Sequence, residues 1–201
     1  MDAARPGVVN RELQFVYQTT VMRRGCVPHF AAIAAGTEGA LVNHLPSDYV
    51  LKDGDTTRID CNAVYRNYVS DVGRNAVLGR PSDKTERYFK ALVSGLDALE
   101  QTVRPDVRLS ELFKKAVTTA RISGIPHYQR QNVGHSIGLQ VVEPPVITPD
   151  NDLKLQENMV IAIETPYYEV GFGSFNPEET ILVTNEGPER LTRKENKLYI
   201  L

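Results

Sequence analysis

The stretch "RIDCNAVYRNYVSDVGRN", residues 58–75, has the β-rich composition of two strands joined by a tight turn at its central "YRNY". Asp60 and Asp71 lie eleven residues apart, on either side of that turn. The hairpin can therefore bring both carboxylates to one end of a ribbon. Taken alone, such a pair of aspartates is more often solvated or caps a hairpin. Whether the two form part of a functional site therefore depends on other acids in the chain.

A second copy of the same unit lies further along the chain. The segment "RPGVVNREL" begins at Arg5 and "RPDVRLSEL" begins at Arg104, an offset of 99, and both lead into helical patterns that end at glycine. The segments "LKDGDTTRID" and "LQENMVIAIE" each read as a polar turn and an apolar strand ending on an acid. These matches indicate an internal duplication. We expect two pseudo-symmetric halves that share a cleft, where sites tend to lie.

The second half contains a helical pattern that the first half lacks. "KTERYFKALVSGLDALEQTV", residues 84–103, precedes the second Arg-Pro corner, whereas only "MDAA" precedes the first. We interpret residues 1–201 as a single domain, with one half at about 5–80 and the other at about 81–192. The front helix is expected to be missing, so the chain is a truncated version, a fragment, or a protein whose groove is covered by a partner chain or by a second copy in a homodimer.

Composition excludes several classes of protein. The 201 residues are 41% hydrophobic, enough for a sizeable core, and carry a net charge of −2 without a block of like charges. Nucleic-acid and anionic-membrane binding are therefore not expected. Apolar runs such as "FAAIAAG" are too short to span a bilayer, and the start has no signal-peptide pattern. Two cysteines make no disulfide framework, which favours a reducing, cytoplasmic location.

Three further residues extend the pair of aspartates. His135 lies in "GHSIGLQVVEPP", residues 134–145, and alone would more often be a core histidine than a ligand. Glu164 follows the apolar "NMVIAI", where it either faces water or needs a partner in order to be buried. Glu178 and Glu179 open another strand, and alternation directs one of them inward. One imidazole and four carboxylates would suit Mn, Fe, Co or Zn, and carboxylates can bridge two ions.

The order and spacing of these residues resemble the pita-bread metallohydrolases, which include methionine aminopeptidase, Xaa-Pro aminopeptidase, prolidase and creatinase. "IDCNAVYRNYVSDVGRN", "GHSIGLQVVEPP", "AIETPYY" and "PEETILVTNEGPERLT" each resemble a motif of that family, and the likeness runs from about Arg5 to Thr192. The resemblance implies an α+β pita-bread fold with a curved antiparallel sheet. It also implies two divalent ions, Mn or Co before Fe or Zn, held by Asp60, Asp71, His135, Glu164 and Glu178.

The chain departs from the family at two histidine positions. Family peptidases usually place a histidine where Val142 stands, and the pseudo-symmetric position, 99 residues earlier, is Asn43. His44 comes one residue later, and a shift of one residue on a strand turns a side chain to the opposite face, although a loop need not. Asn43 and His44 are therefore both candidate catalytic residues. Asn43 could donate an amide hydrogen bond to a developing oxyanion. Asn176 stands near the position where proline-specific relatives often carry arginine. This difference weakens the inference that the protein shares their preference for proline substrates.

The resemblance implies a metal-dependent hydrolase of the aminopeptidase, Xaa-Pro peptidase or creatinase type. A metal-bound hydroxide would attack a C–N bond of a short peptide or small amide, with Glu164 as ligand and proton acceptor. The altered histidines predict slow turnover, since a positioned proton-transfer group contributes about 10²- to 10⁴-fold. Two alternatives stay open: an impaired family member that acts as a binding or interaction module, and one part of a split assembly.

Overall fold

The computed structural model describes residues 3–193 and 195–201, which form an α+β fold, as predicted. The helices are α1 (Asn10–Arg23), α2 (Asp83–Glu100) and α3 (Leu109–Ser123), and a 3₁₀ helix covers Gly36–Ala40. The strands are β1 (Val27–Ala35), β2 (Thr56–Tyr65), β3 (Tyr68–Val77), β4 (Gly134–Ser136), β5 (Glu143–Val146), β6 (Val160–Glu164), β7 (Tyr167–Glu169), β8 (Gly173–Phe175), β9 (Glu178–Thr184), β10 (Gly187–Arg190) and β11 (Leu198–Ile200).

Hydrogen bonding divides the strands into two main sheets and a ribbon. The first sheet has the order β1-β2-β3-β11, the second has the order β10-β9-β6-β4-β5, and β7 pairs with β8. Neighbouring strands are antiparallel, except that β11 runs parallel to β3. The strand β11 lies beyond the end assigned to the second half, at about residue 192, and returns to the sheet of the first half.

The duplication is visible in the corners before α1 and α3. The N–H of Gly7 donates to the carbonyl of Leu51 at 2.8 Å, and the N–H of Asp106 donates to the carbonyl of Leu155 at 2.9 Å. Both donors have a positive φ, 88° at Gly7 and 69° at Asp106. These matched hydrogen bonds confirm the two pseudo-symmetric halves.

The turns before β2 and β6 match in the same way. Gly54 donates to the carbonyl of Leu78 at 2.7 Å and Asn158 donates to that of Val183 at 2.9 Å. Gly54 has a φ of 86° and Asn158 a φ of 69°, which glycine and asparagine tolerate better than other residues do. The two polar turns read from the sequence therefore lead into β2 and β6 in the same way, but Asp60 lies in the middle of β2, whereas Glu164 ends β6 as predicted.

The main hydrophobic core lies in the second half, between α2, α3 and the second sheet. Ser82 caps α2 by accepting a hydrogen bond from the N–H of Thr85 at 3.1 Å. A Cβ at Gly95 would lie 2.9 Å from the carbonyl oxygen of Ala116, so glycine allows α2 to cross α3 closely. Apolar side chains repeat at helical spacing on both helices and are buried, among them Leu92, Leu96, Leu99, Leu112 and Ala120.

The first half has a smaller core and an open groove. Of the side chains of α1, Leu13 is buried, whereas Phe15 and Met22 are exposed. A groove of about 230 Å³ lies between α1 and the first sheet and is lined mostly by apolar residues, including Ala4, Leu13, Val16, Tyr17 and Ile33. The described residues before α1, 3–9, contain no helix. A partner chain or second copy over this groove stays a prediction.

Two general predictions can be compared with the described part of the chain. None of its helices is both long enough and apolar enough to cross a bilayer. Cys26 and Cys61 are both free, and Cys61 packs in the core of the first half. A cytoplasmic location stays a prediction.

The two main sheets meet where β3 lies against β9. The Thr180 hydroxyl donates to the carbonyl of Asp71 at 2.8 Å, and the N–H of Asn176 donates to the Asn75 side chain at 2.6 Å. A Cβ at Gly73 would lie 2.2 Å from the carbonyl oxygen of Asn176, so only glycine fits at this crossing. The crossing brings acids of the first half against acids of the second.

Candidate metal centre

Two acids of the first half lie on one face of the β2–β3 hairpin. The turn pairs Tyr65 with Tyr68, and this register places Asn62 opposite Asp71. Asp60 is two residues from Asn62 along β2 and therefore points to the same face. The Asn62 side-chain amide donates to the Asp71 carboxylate. The hairpin inferred from residues 58–75 thus brings both carboxylates together.

Three residues of the second half lie on adjacent strands of its sheet. His135 of β4 pairs with Ala162 of β6, next to an irregularity in the pairing of β4 with β5. Glu164 ends β6 and lies directly opposite Glu178, which begins β9. Glu179 points to the other face, where it is buried and lies 3.4 Å from a guanidinium nitrogen of Arg74.

All five predicted ligands line a single cavity of about 540 Å³ between the halves: Asp60, Asp71, His135, Glu164 and Glu178. Three of them, Asp71, His135 and Glu178, offer ligand atoms that lie within 4.8 Å of one another. Nε2 of His135 is 3.7 Å from Oδ2 of Asp71. Asn176 connects Asp60 to the same cluster, because its side-chain amide donates to Asp60 at 3.3 Å and to Glu178 at 3.1 Å.

The crowding of these carboxylates disfavours their charged forms. Burial raises the pKa of Asp71 to about 8, and the charges of Asp60 and Glu164 add to the effect. Burial likewise raises the pKa of Glu164 to about 7, although Arg130 lowers it. The pKa values of Asp60 and Glu178 are also raised, again mainly by burial. A group of acids that resists ionisation in this way is stabilised by a bound cation.

The geometry of His135 suits a ligand. Its Nδ1 lies 3.1 Å from the carbonyl oxygen of Ser136. A carbonyl can only accept, so Nδ1 carries the proton and Nε2, on the side of Asp71, keeps its lone pair. Burial lowers the pKa of His135, which favours this neutral form. The donor set therefore fits divalent ions that accept imidazole together with carboxylate.

Asn43 and His44, the two candidates in the first half, lie in different places in the structure. Asn43 and Val142 both line the cavity. His44 is buried away from it, with Nε2 3.0 Å from Oε2 of Glu38, and is not part of the cavity wall. Residues 41–48 form a loop rather than a strand, and there the ring of His44 turns toward Glu38 while Asn43 faces the cleft.

Three polar residues around the site were missed in the sequence. Arg130 and Tyr168 line the cavity, and a guanidinium nitrogen of Arg130 lies 4.0 Å from Glu164. Arg58 is fully buried beside Asp60, at 3.4 Å. Strand alternation was a usable signal for Arg58, because a residue two positions before Asp60 on β2 lies on the same face. Arg130 lies in an irregular segment, where no periodicity indicates which way its side chain points.

Comparison with known proteins identifies the family. The model of metallopeptidase family M24 matches residues 1–185. The chain belongs to this family. An M24 relative, the Xaa-Pro dipeptidase of Pyrococcus horikoshii, is 32% identical over 166 residues, which are 83% of this chain and 47% of the relative. The Xaa-Pro dipeptidase of Lactobacillus helveticus is 29% identical over 203 residues, covering 100% of this chain and 55% of the relative.

Solved structures agree with the M24 assignment. The prolidase from Pyrococcus horikoshii superposes with a TM-score of 0.93 at 30% identity, over 98% of this chain and 57% of that one. An X-Pro aminopeptidase from Thermotoga maritima gives 0.91 at 28% identity, over 98% and 56%. These matches confirm the pita-bread fold predicted from the motifs. The chain spans about half the length of the curated relatives it matches.

Proposed function

We propose that this protein is a metal-dependent peptidase that hydrolyses the C–N bond of a short peptide, with an Xaa-Pro dipeptide as the first substrate to test. The observation that carries the proposal is the convergence of His135 and four carboxylates on one cavity of an M24 chain. The names of the relatives, Xaa-Pro dipeptidase and prolidase, support the choice of substrate.

The proposed cofactor is a pair of divalent ions, Mn or Co before Fe or Zn. When bound, such ions polarise a carbonyl and lower the pKa of a water molecule. Asp71, His135 and Glu178 would hold one of them, and Asp60 and Glu164 complete the set of ligands.

The remaining chemistry falls to side chains on the cavity wall. Glu164 would take a proton from water and pass it to the leaving nitrogen, because its carboxylate lies on the cavity wall beside the other predicted ligands. The Asn43 amide can donate a hydrogen bond to the carbonyl oxygen as it gains charge. Val142 can neither donate nor carry a proton, so we expect slow turnover.

The wall of the cavity points to a peptide that ends in a free carboxylate. A volume of about 540 Å³ is in the range of small-molecule sites. Phe30, Val42, Val142 and Val146 supply an apolar surface, and Arg130 is the only lysine or arginine among the described residues of the wall. We propose that Arg130 pairs with the carboxylate of the substrate, because ions bound by Glu164 would leave its guanidinium without its present partner.

Hydrolysis assays test the proposal. Protein loaded with Mn or Co is incubated with Xaa-Pro dipeptides, other dipeptides and creatine, beside an Asp71→Asn control. Release of proline that is abolished in the control supports the peptidase. Turnover of creatine alone would show that the protein hydrolyses small amides instead of peptides.

Inactivity on every substrate, with metal bound, would overturn the peptidase. It would favour a binding or interaction role, for which the open groove along α1 is the supporting observation.

A further inference from the structure

A second cavity adjoins the cavity of the metal centre at Arg130. It has a volume of about 600 Å³, in the range of small-molecule sites, and lies between α3, the segment before β4 and Pro149. Among the described residues, Arg130 is the one that lines both cavities. Its guanidinium can therefore contact a ligand in either of them.

The wall of the second cavity is cationic. Lys114 and Arg121 are seven residues apart, about two turns along one face of α3, and Arg130 adds a third positive charge. Glu111 is the one acid in the described part of this wall. Neither Lys114 nor Arg121 forms an ion pair with another described residue. Such a concentration of unpaired positive charge attracts an anion.

The internal repeat shows that these cations are not a requirement of the fold. At the offset of 99 residues, Lys114 corresponds to Phe15 and Arg121 corresponds to Met22. Phe15 and Met22 are both exposed on α1. Equivalent positions of the two helices are thus apolar in the first half and positively charged in the second. The charges on α3 therefore call for an explanation other than folding.

The rest of the wall describes the body of a ligand. Phe113, Val117 and Pro149 give it an apolar surface, while Thr118 and Gln129 add a hydroxyl and an amide. A bare inorganic ion would leave the apolar surface without a contact. The cavity is therefore suited to a molecule that has both a charged group and an apolar portion.

Arg130 is held by long contacts on the side of the metal centre. Its Nη2 lies 4.0 Å from Glu164, its Nε donates to the carbonyl of Asn132 at 3.4 Å, and its guanidinium carbon lies 5.5 Å from the centroid of the Tyr168 ring. These distances lie near or beyond the limit of a good hydrogen bond. An oxyanion in the second cavity would offer a shorter, charge-assisted bond and would draw the guanidinium away from Glu164.

We propose that the second cavity binds a small organic oxyanion. Its carboxylate or phosphate group lies beside Lys114, Arg121 and Arg130, and its apolar portion lies against Phe113 and Pro149. The bound anion competes with the carboxylate of the substrate for Arg130, a consequence that rests on the proposed function. Because the anion does not occupy the place of the substrate, it weakens substrate binding without excluding it.

Calorimetry in EDTA tests the site without metal and without turnover. The probes are phenyl phosphate and benzoate, and benzyl alcohol is the neutral control. We expect at least one of the two anions to bind, and benzyl alcohol to bind at least about tenfold more weakly because it has no charge. The tighter of the two anions then distinguishes a phosphate site from a carboxylate site.

A matched pair of variants locates the bound anion. Lys114→Glu should weaken its binding at least about fivefold, because repulsion replaces attraction. Lys115→Glu makes the same change one residue further along α3, outside the cavity wall, and should weaken binding less than about twofold. Both lysines are exposed, so both variants should fold. Failure of both anions to bind, or an equal loss in the two variants, would overturn the inference.

Kinetics of the Mn-loaded protein test the competition for Arg130. Saturation with the anion should raise the KM for an Xaa-Pro dipeptide about fivefold to a plateau, and leave the KM for its C-terminal amide unchanged. Arg130→Gln should abolish the effect. A KM that rises without a plateau would place the anion in the substrate site, and an unchanged KM would show that Arg130 does not connect the cavities. Either result would contradict the proposal.

The site and the proposed function fail in different ways. Anion binding by a protein that hydrolyses nothing would reject the proposed function and keep the second site. Hydrolysis of Xaa-Pro dipeptides by a protein that binds neither anion would do the reverse.

Discussion

The two halves of the molecule share a backbone and differ in what surrounds it. Gly7 and Asp106 make the same corner hydrogen bond, and Leu13 and Leu112, which are 99 residues apart, are both buried. In the second half α2 covers α3, whereas the groove beside α1 is open. The corners depend on local backbone geometry and so persist in both halves. A helix that would cover α1, as α2 covers α3, is absent from the described residues of the first half.

The chemistry of the site is divided just as unevenly. The first half contributes two aspartates and a buried cation, and the second contributes two glutamates and the imidazole. Equivalent strands therefore do not imply equivalent roles. The imidazole of His135 has no counterpart among the ligands of the first half, so its loss tests this division directly.

The largest expected effect comes from His135→Ala. Loss of the neutral nitrogen ligand should remove the ion held by Asp71, His135 and Glu178 and lower kcat/KM for an Xaa-Pro dipeptide at least about 100-fold, more than a change in a residue that merely supports a ligand. Metal analysis and a proline-release assay measure both effects. His127→Ala is the matched control, because His127 lies outside the cavity, 3.1 Å from the Tyr167 hydroxyl. Full ion uptake by His135→Ala would contradict the assignment of the ligand.

The junction between the halves is tested by Gly73→Ala. The added methyl group would meet the backbone at Asn176, which cannot move aside as a flexible side chain can. We expect a loss of about 1–3 kcal/mol in the free energy of unfolding, measured by urea denaturation, together with weaker metal binding. Gly138→Ala serves as the control, because a Cβ there would meet only the Glu143 carboxylate, at 3.3 Å. Equal stability of the two variants would show that the crossing tolerates a side chain.

The pH dependence of stability tests the crowding of acids from both halves. Between their usual values near 4 and the raised pKa values of about 8 for Asp71 and about 7 for Glu164, the folded protein without metal binds more protons than the unfolded chain. Its stability should therefore fall as the pH rises through this window. His135, whose pKa is lowered, contributes the opposite slope below about 6.5. The decline should thus be clearest from about pH 6.5 to 8.

Thermal unfolding in EDTA and in Mn at several pH values measures this effect. Bound Mn replaces the protons and should flatten or reverse the decline. Asp71→Asn should reduce the slope in EDTA. A natural chain that gains stability in EDTA between about pH 6.5 and 8 would show that the acids are not crowded as described.

The smallest expected effect concerns the substrate. Arg130→Gln should lower the preference for an Xaa-Pro dipeptide over its C-terminal amide by about tenfold, the value of one charge-assisted hydrogen bond. The ratio of kcat/KM for the two substrates measures it. Lys115→Gln is a control on the exposed face of α3. An unchanged ratio would leave Arg130 as a partner of Glu164 alone.

Much of this arrangement was predictable because it is periodic. Strand alternation and a two-residue turn set the register that places Asn62 opposite Asp71, and an apolar run ending on an acid located Glu164. The polar turns at Gly54 and Asn158 are short-range signals that the structure confirms. Residues on loops and irregular segments have no such signal. Whether Asn43 or His44 reaches the cavity depends on the path of a loop, and the position of Arg130 depends on an irregular segment.

Neighbouring residues specify the repeat, the strands and the identity of the acids, because hydrogen-bonded corners and side-chain alternation are local properties of the chain. Tertiary structure alone decided that these acids share one cavity, since this requires β3 to cross β9 at Gly73. It also decided that Arg58 lies buried against Asp60 while His44 turns to Glu38. The burial of Arg58 depends on distant segments such as that of Ser174, and the direction of His44 depends on the path of a loop, neither of which a local pattern encodes.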